Sequence, residues 1–175
     1  MQRSILVTYL TKSGSTAEVA QAIGQELSGA DARVDVRPLG PIDDLDAYDA
    51  IVVGAPMILG WHRDAVRFVE QHQQVLSQKP VAFFLTALSL TADGNNNVDG
   101  IPIYQDPSLA KPPKKLGKLS YRERYACASN YLHPALRAAP QVRPVSAGFF
   151  NGKLDLKRLD LLSRVFVQLI IGAKS

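Results

Sequence analysis

Residues 8–23 read TYLTKSGSTAEVAQAI. Ahead of the loop lies the apolar run Ile5-Leu6-Val7, and after it Val19, Ala20, Ile23 and Leu27 recur at helical spacing. The stretch predicts a strand over Ser4–Leu10, a turn, and a helix over Thr16–Ser28 stopped by Gly29. At the handover stand Thr11, Lys12, Ser13, Gly14, Ser15 and Thr16, four hydroxyls around one glycine. A helix start presents free backbone N–H groups and the positive end of a dipole, which suit an anion. Gly14 permits a positive φ and a close backbone approach, and the small hydroxyls add donors without bulk. This is the chemistry of a phosphate cradle. The same residue types favour an ordinary capped helix start, and the local pattern leaves both readings open. The G-x-x-x-x-G-K-[ST] signature is absent, so nucleoside triphosphate hydrolysis is not indicated.

Outward from this stretch the chain alternates strand and helix. Val34 and Val36 alternate with Asp35 and Arg37, a short second strand, and residues 41–48 read as a turn with one helical turn. The runs AIVVG (50–54) and PVAFFLT (80–86) are continuous apolar strands of the kind buried on both faces. Between them Ala65, Val66, Phe68, Val69, Val75 and Leu76 predict one long helix over Arg63–Ser77. Residues 91–119 are polar and rich in Gly, Asn, Pro and Lys, and read as a long loop insertion, a mobile flap. Ser120-Tyr121-Arg122-Glu123 is a capping-box pattern. It opens a helix carrying Tyr125, Ala128, Leu132 and Leu136, disturbed late by Pro134. A fifth strand is expected over Val142–Phe150. Asp155 caps a last helix carrying Leu159, Leu162, Val165, Phe166, Leu169 and Ile170. The order predicts an α/β fold, a doubly wound five-stranded parallel sheet in the order 2-1-3-4-5 with helices on both faces. Ligands of such sheets bind beyond the carboxyl ends of the strands, where strands one and three diverge.

The 175 residues are 46% hydrophobic and 21% charged, which fits a single domain over 1–175 with its own core. No apolar run approaches the ~18 residues of a membrane span. MQRSILVTYL passes straight into the first strand without a small-residue cleavage site, so no signal peptide is expected. The single cysteine, Cys127, excludes an internal disulfide and fits a reducing, cytoplasmic compartment, its thiol a buried one. The net charge is +4, and KPPKKLGK (111–118) holds four lysines and no acid. Such a run suits anionic partners such as lipid head groups, or is simply a solvated loop. No nucleic-acid partner and no metal site are expected, and no nucleophile–base pair stands out.

The stretch 11–16 matches the T-x-[ST]-G-x-T phosphate loop of flavodoxins, and YDAIVVGAP (48–56) resembles their third strand and flavin loop. GAPMILGWHRDAVRFV (54–69) and the tail FFNGKLDLKRLDLLSRVFVQLI (149–170) are similar to one branch, the menaquinone-dependent protoporphyrinogen oxidases. The segment 91–119 departs from that branch, being longer there. The resemblance implies a flavodoxin-like fold with FMN as cofactor, its phosphate in loop one. Loop two, Pro56, Met57, Ile58, Leu59, Gly60 and Trp61, offers apolar side chains and backbone for an isoalloxazine ring. Trp61 either stacks on the ring or covers the following helix. His62 is a proton shuttle or a plain surface histidine. Loop three, Thr86, Ala87, Leu88, Ser89 and Leu90, is implied to close over the other side of the ring, with aliphatics where many flavodoxins carry an aromatic.

The function implied is an FMN-dependent oxidoreductase. It would take two electrons from a protoporphyrinogen-like or other reduced organic substrate and pass them to a quinone-type acceptor. The alternative is a flavodoxin-type electron carrier acting with a redox protein partner, though such carriers are usually acidic and this chain is basic. A binding module without redox function is a third reading, against which the hydroxyls of loop one count. A quinone acceptor, the run 111–118 and the apolar end of the last helix together imply weak peripheral contact at the inner face of the membrane.

Overall fold

The computed structural model describes residues 2–30, 32–42, 44–57 and 60–152. The first half follows the expected rhythm: β1 (Arg3–Tyr9), α1 (Ser15–Gly29), β2 (Ala32–Pro38), a 3-10 turn at Leu45–Ala47, and β3 (Ala50–Pro56). Then come α2 (Arg63–Gln71), α3 (Gln73–Leu76) and β4 (Val81–Ala87). The second half holds β5 (Leu90–Thr91), β6 (Asn97–Val98), β7 (Ile101–Gln105), β8 (Ala110–Lys111), α4 (Tyr121–Tyr125), α5 (Ala128–Ala138) and β9 (Ser146–Asn151). The helix expected over 155–170 lies outside the described residues.

Among the described residues the main sheet has seven strands in the order β2-β1-β3-β4-β9-β7-β6. Its first five members run parallel and reproduce the expected 2-1-3-4-5 order. The register brings their carboxyl ends level: Tyr9 lies opposite Gly54, Pro56 opposite Thr86, and Ala87 opposite Asn151. Successive side chains of a strand point to opposite faces, and the sheet accordingly divides two cores. Ile5, Val7, Val52, Ala82 and Phe84 pack with Val19, Ile23 and Leu27 of α1. Leu6, Ile51, Val53, Phe83 and Leu85 pack with Phe68 and Val69 of α2 and Tyr131 and Leu132 of α5. Gly54 has no Cβ because the Phe84 ring occupies that place; a Cβ there would lie 1.9 Å from Phe84 Cζ.

Three expectations need correction. The segment 91–119 is not one loop. β7 pairs parallel with β9 through Ile103, Tyr104 and Gln105 and antiparallel with β6, extending the sheet by two strands. Ile101 and Ile103 are buried. Asp99 and Gly100 turn the hairpin with φ values of 52° and 83°, the paired positive φ of a two-residue hairpin turn. His133 Nε2 lies 3.2 Å from Asp99 Oδ2 and ties the turn to α5. Pro102 precedes the residues that pair with β9, so its missing N–H costs that ladder nothing.

The helix expected over Arg63–Ser77 is two pieces that meet at His72. The break is local: His72 N donates to Phe68 O at 3.1 Å and Leu76 N to His72 O at 3.0 Å. The helix opening at Ser120 also divides, at Ala126–Cys127. The capping box forms at its start. At its end Thr91 Oγ1 and Cys127 Sγ both donate to Glu123 O, at 2.8 and 3.3 Å, and Asn130 Nδ2 donates to Arg124 O at 2.6 Å. These donors satisfy carbonyls that a continued helix would otherwise have used.

Candidate functional site

Loop one leaves β1 at the switch point and enters α1 at Gly14, whose φ is +93°. Thr11 Oγ1 accepts from the Gly14 N–H at 3.0 Å and closes the loop on itself. The first-turn N–H groups of a helix have no intrahelical acceptor, and Gly14 brings no side chain to cap them. Space beyond Gly14 is open, with nothing within 4 Å of the position a Cβ would take. Thr11, Lys12 and Ser13 are exposed and Ser15 is half-buried. Thr16 is different: it is buried, and its hydroxyl bonds that of Thr86 at 2.8 Å. The pair holds two O–H groups and uses one between them. It fastens the base of loop one to the end of β4.

Loop two begins where Met57 N donates to Thr86 O at 2.8 Å. Met57 bridges to Trp61, and Gly60 between them has a φ of +122°. Ile58 and Leu59 lie outside the described residues. Trp61 does not stand ready to stack on a ligand. It is 3% exposed and lies on Phe83, with ring centroids 4.9 Å apart, so it belongs to the core. His62 is neither free nor bland: its Nδ1 accepts from the Asp64 N–H at 3.3 Å and caps α2.

Loop three divides in the same way. Leu90, expected at a ring, is a buried core residue of β5. Leu88 projects outward and Ser89 is exposed. The Ser89 carbonyl accepts from Tyr131 OH at 3.0 Å. Burial pushes the Tyr131 hydroxyl pKa up, so it remains a donor there. Gly152 N donates to Ala87 O at 3.1 Å, and a side chain at Gly152 would lie 3.7 Å from Leu88 and 3.9 Å from the Ser15 hydroxyl. The end of β9 thus brings loops one and three together.

A cleft of about 340 Å³ opens between loops two and three, walled by Met57, Gly60, Ala87, Leu88 and Ser89. Its opposite wall is α4, through Tyr121, Arg122 and Tyr125. Sequence reading placed only aliphatics in loop three and missed these tyrosines. Their signal was available: YRERY puts Tyr121 and Tyr125 four apart, on one face of a helix whose neighbours are charged. Cys127, just beyond α4, is buried; desolvation raises its thiol pKa, and the nearby Asp93 adds to the effect. It is an inert thiol rather than a nucleophile.

The family model of the flavodoxin domain matches residues 6–174. Among curated proteins, the protoporphyrinogen IX dehydrogenase [quinone] of Escherichia coli strain K12 is 30% identical over 82 residues. That match covers 45% of this chain and 45% of that protein, so the chain spans under half of the relative's length. A flavodoxin from the domain Archaea superposes with a TM-score of 0.60 at 18% identity, covering 98% of this chain and 99% of that one. Oxidised flavodoxin 2 from Bacillus cereus superposes at 0.56 with 17% identity, over 97% and 99% of the two chains. At those identities the structures show the fold. The chain belongs to the flavodoxin domain family, and FMN is its cofactor. The open, glycine-led start of α1 and the adjoining cleft fit an anionic group joined to a flat ring.

Proposed function

We propose that this flavodoxin-domain chain is an FMN-dependent oxidoreductase that oxidises a reduced organic substrate, protoporphyrinogen-like or similar, and delivers the electrons to a quinone-type acceptor. The match to protoporphyrinogen IX dehydrogenase [quinone] carries this reading. In it, the backbone N–H groups at the start of α1 hold the phosphate, with the hydroxyls of Thr11, Ser13 and Ser15 and the ammonium of Lys12 around it. Thr16 and Thr86 fix the loop from below. Met57, the backbone at Gly60, and Ala87 with Leu88 flank the ring. Trp61 and Leu90 act behind them as packing. FMN supplies the redox chemistry when bound, and the protein supplies position and environment. The whole chain then acts as one domain.

The exposed rim of Leu88 and Tyr121 supports a second reading, an electron carrier whose redox partner is a protein. Anaerobic reduction separates the two. Apoprotein is loaded with FMN, and the bound flavin is followed by absorbance. Bleaching by a small reduced substrate and recovery with a quinone support the enzyme. Bleaching only by a reductase protein supports the carrier. Failure to bind FMN would sink both.

Weak contact with an anionic bilayer belongs to the same proposal. No helix among the described residues is long and apolar enough to cross a membrane. Leu116 is 96% exposed at the tip of the lysine-rich run 111–118. A lone apolar side chain among four lysines suits a head-group surface.

A further inference from the structure

Four large apolar side chains are well exposed among the described residues, and three of them line the cleft between loops two and three: Leu88 at 83%, Tyr121 at 79% and Tyr125 at 40%. A concentration of exposed apolar surface around a concave site marks binding. The wall that carries the tyrosines is held at both ends. The capping box fixes its start, and Thr91, Cys127 and Asn130 take its terminal carbonyls. Tyr121 and Tyr125 are therefore presented on a braced turn rather than on a free loop.

Arg122 lines the cleft beside them. The acid next to it in sequence does not neutralise it: Glu123 accepts from Lys114 N and Ser120 N, both at 2.7 Å. None of the ion pairs among the described residues includes Arg122. Tyrosine faces take flat rings, and a guanidinium meets a carboxylate or similar oxyanion through a pair of parallel hydrogen bonds.

We propose that Tyr121, Arg122 and Tyr125 form a recognition wall for a flat, ring-bearing organic molecule that carries an anionic group, the ring lying against the tyrosines and the anion on Arg122. The proposal rests on the reading that loops two and three flank the FMN ring, which would place the recognised molecule beside it. These residues set selectivity; the electron transfer itself belongs to the cofactor.

A pair of redox-inert probes tests this: 2-naphthoate and 2-naphthamide share a ring and differ in charge. Their binding to FMN-loaded protein and to apoprotein is measured by titration calorimetry. The expected result is about tenfold tighter binding of the naphthoate. Arg122→Gln abolishes the preference, Arg122→Lys keeps most of it, and Tyr125→Ala weakens both probes alike. Far-ultraviolet circular dichroism stays unchanged in all three variants. Equal binding of the two probes by the parent protein, survival of the preference in Arg122→Gln, or no binding of either probe would overturn the proposal. Should FMN fail to load, the cofactor reading falls, and the apoprotein titration still decides whether the wall selects anions.

Discussion

Gly54 and Gly14 are glycines for opposite reasons. At Gly54 the Phe84 ring fills the space a side chain would need, with Cε1 2.0 Å from a Cβ position. Gly54→Ala must displace a buried ring, and overpacking of this kind costs about 1–3 kcal/mol. Thermal denaturation will show a lowered midpoint, and adding Phe84→Leu will recover part of it. At Gly14 nothing crowds the Cβ, and the constraint is the backbone, held at φ +93°. A β-branched residue is poorly suited to that region. Gly14→Val is therefore expected to distort loop one and weaken FMN binding at least tenfold in a fluorescence titration, while global stability changes little. Unaltered affinity would remove the phosphate from loop one. The glycine of the loop was legible because its neighbours are hydroxyls at a strand–helix junction. Gly54 was not, since its reason is a ring 30 residues further along the chain.

Among the elements, α4 depends on one carboxylate. Glu123 accepts from the Lys114 and Ser120 backbone N–H groups, and the Ser120 hydroxyl caps the Glu123 N–H. Those hydrogen bonds, that of Lys114 first, lower its pKa from 4.5 to about 2. A carboxyl with a depressed folded value stabilises above its ordinary range and loses that contribution as pH falls through about 2. Amide exchange at Lys114 and Ser120 should accelerate as pH drops below 4.5, after correction for the intrinsic rate, and Glu123→Gln should lose most of this dependence. An identical profile in the variant would assign the protection to other contacts. The capping box behind this behaviour was readable in S-Y-R-E. The hairpin was readable too, in V-D-G-I at 98–101, a strong short-range turn signal; the polar composition and prolines around it obscured it. The end of α4 was not readable, because Thr91 reaches the Glu123 carbonyl from 32 residues upstream and joins Cys127 and Asn130 of the chain just beyond. The places of Trp61 and Leu90 were not readable for a related cause. A loop's apolar residues look alike in sequence, and only the packing distinguishes a core anchor such as Trp61 from an exposed Leu88.

For the molecule as a whole, charge and surface act together. With four lysines around an exposed Leu116, and about 1 kcal/mol for each basic residue near an anionic surface, co-sedimentation with anionic liposomes is expected at low salt and is lost at high salt. Lys114→Glu with Lys115→Glu should abolish it; protein left in the supernatant at low salt would favour a soluble acceptor. The β6–β7 hairpin has another consequence, for colloidal behaviour. In a five-stranded sheet β9 would be the margin, and Ser146–Phe150 is an almost wholly buried run of SAGFF. Here Ile103, Tyr104 and Gln105 cover Ala147, Gly148 and Phe149, and the sheet ends instead on the two-residue β6. Short margins resist strand-to-strand addition between molecules, whereas long apolar ones invite it. Excising the hairpin would turn a quiet boundary into a sticky one, and the shortened protein would be expected to form thioflavin-positive aggregates at concentrations where the parent stays dispersed.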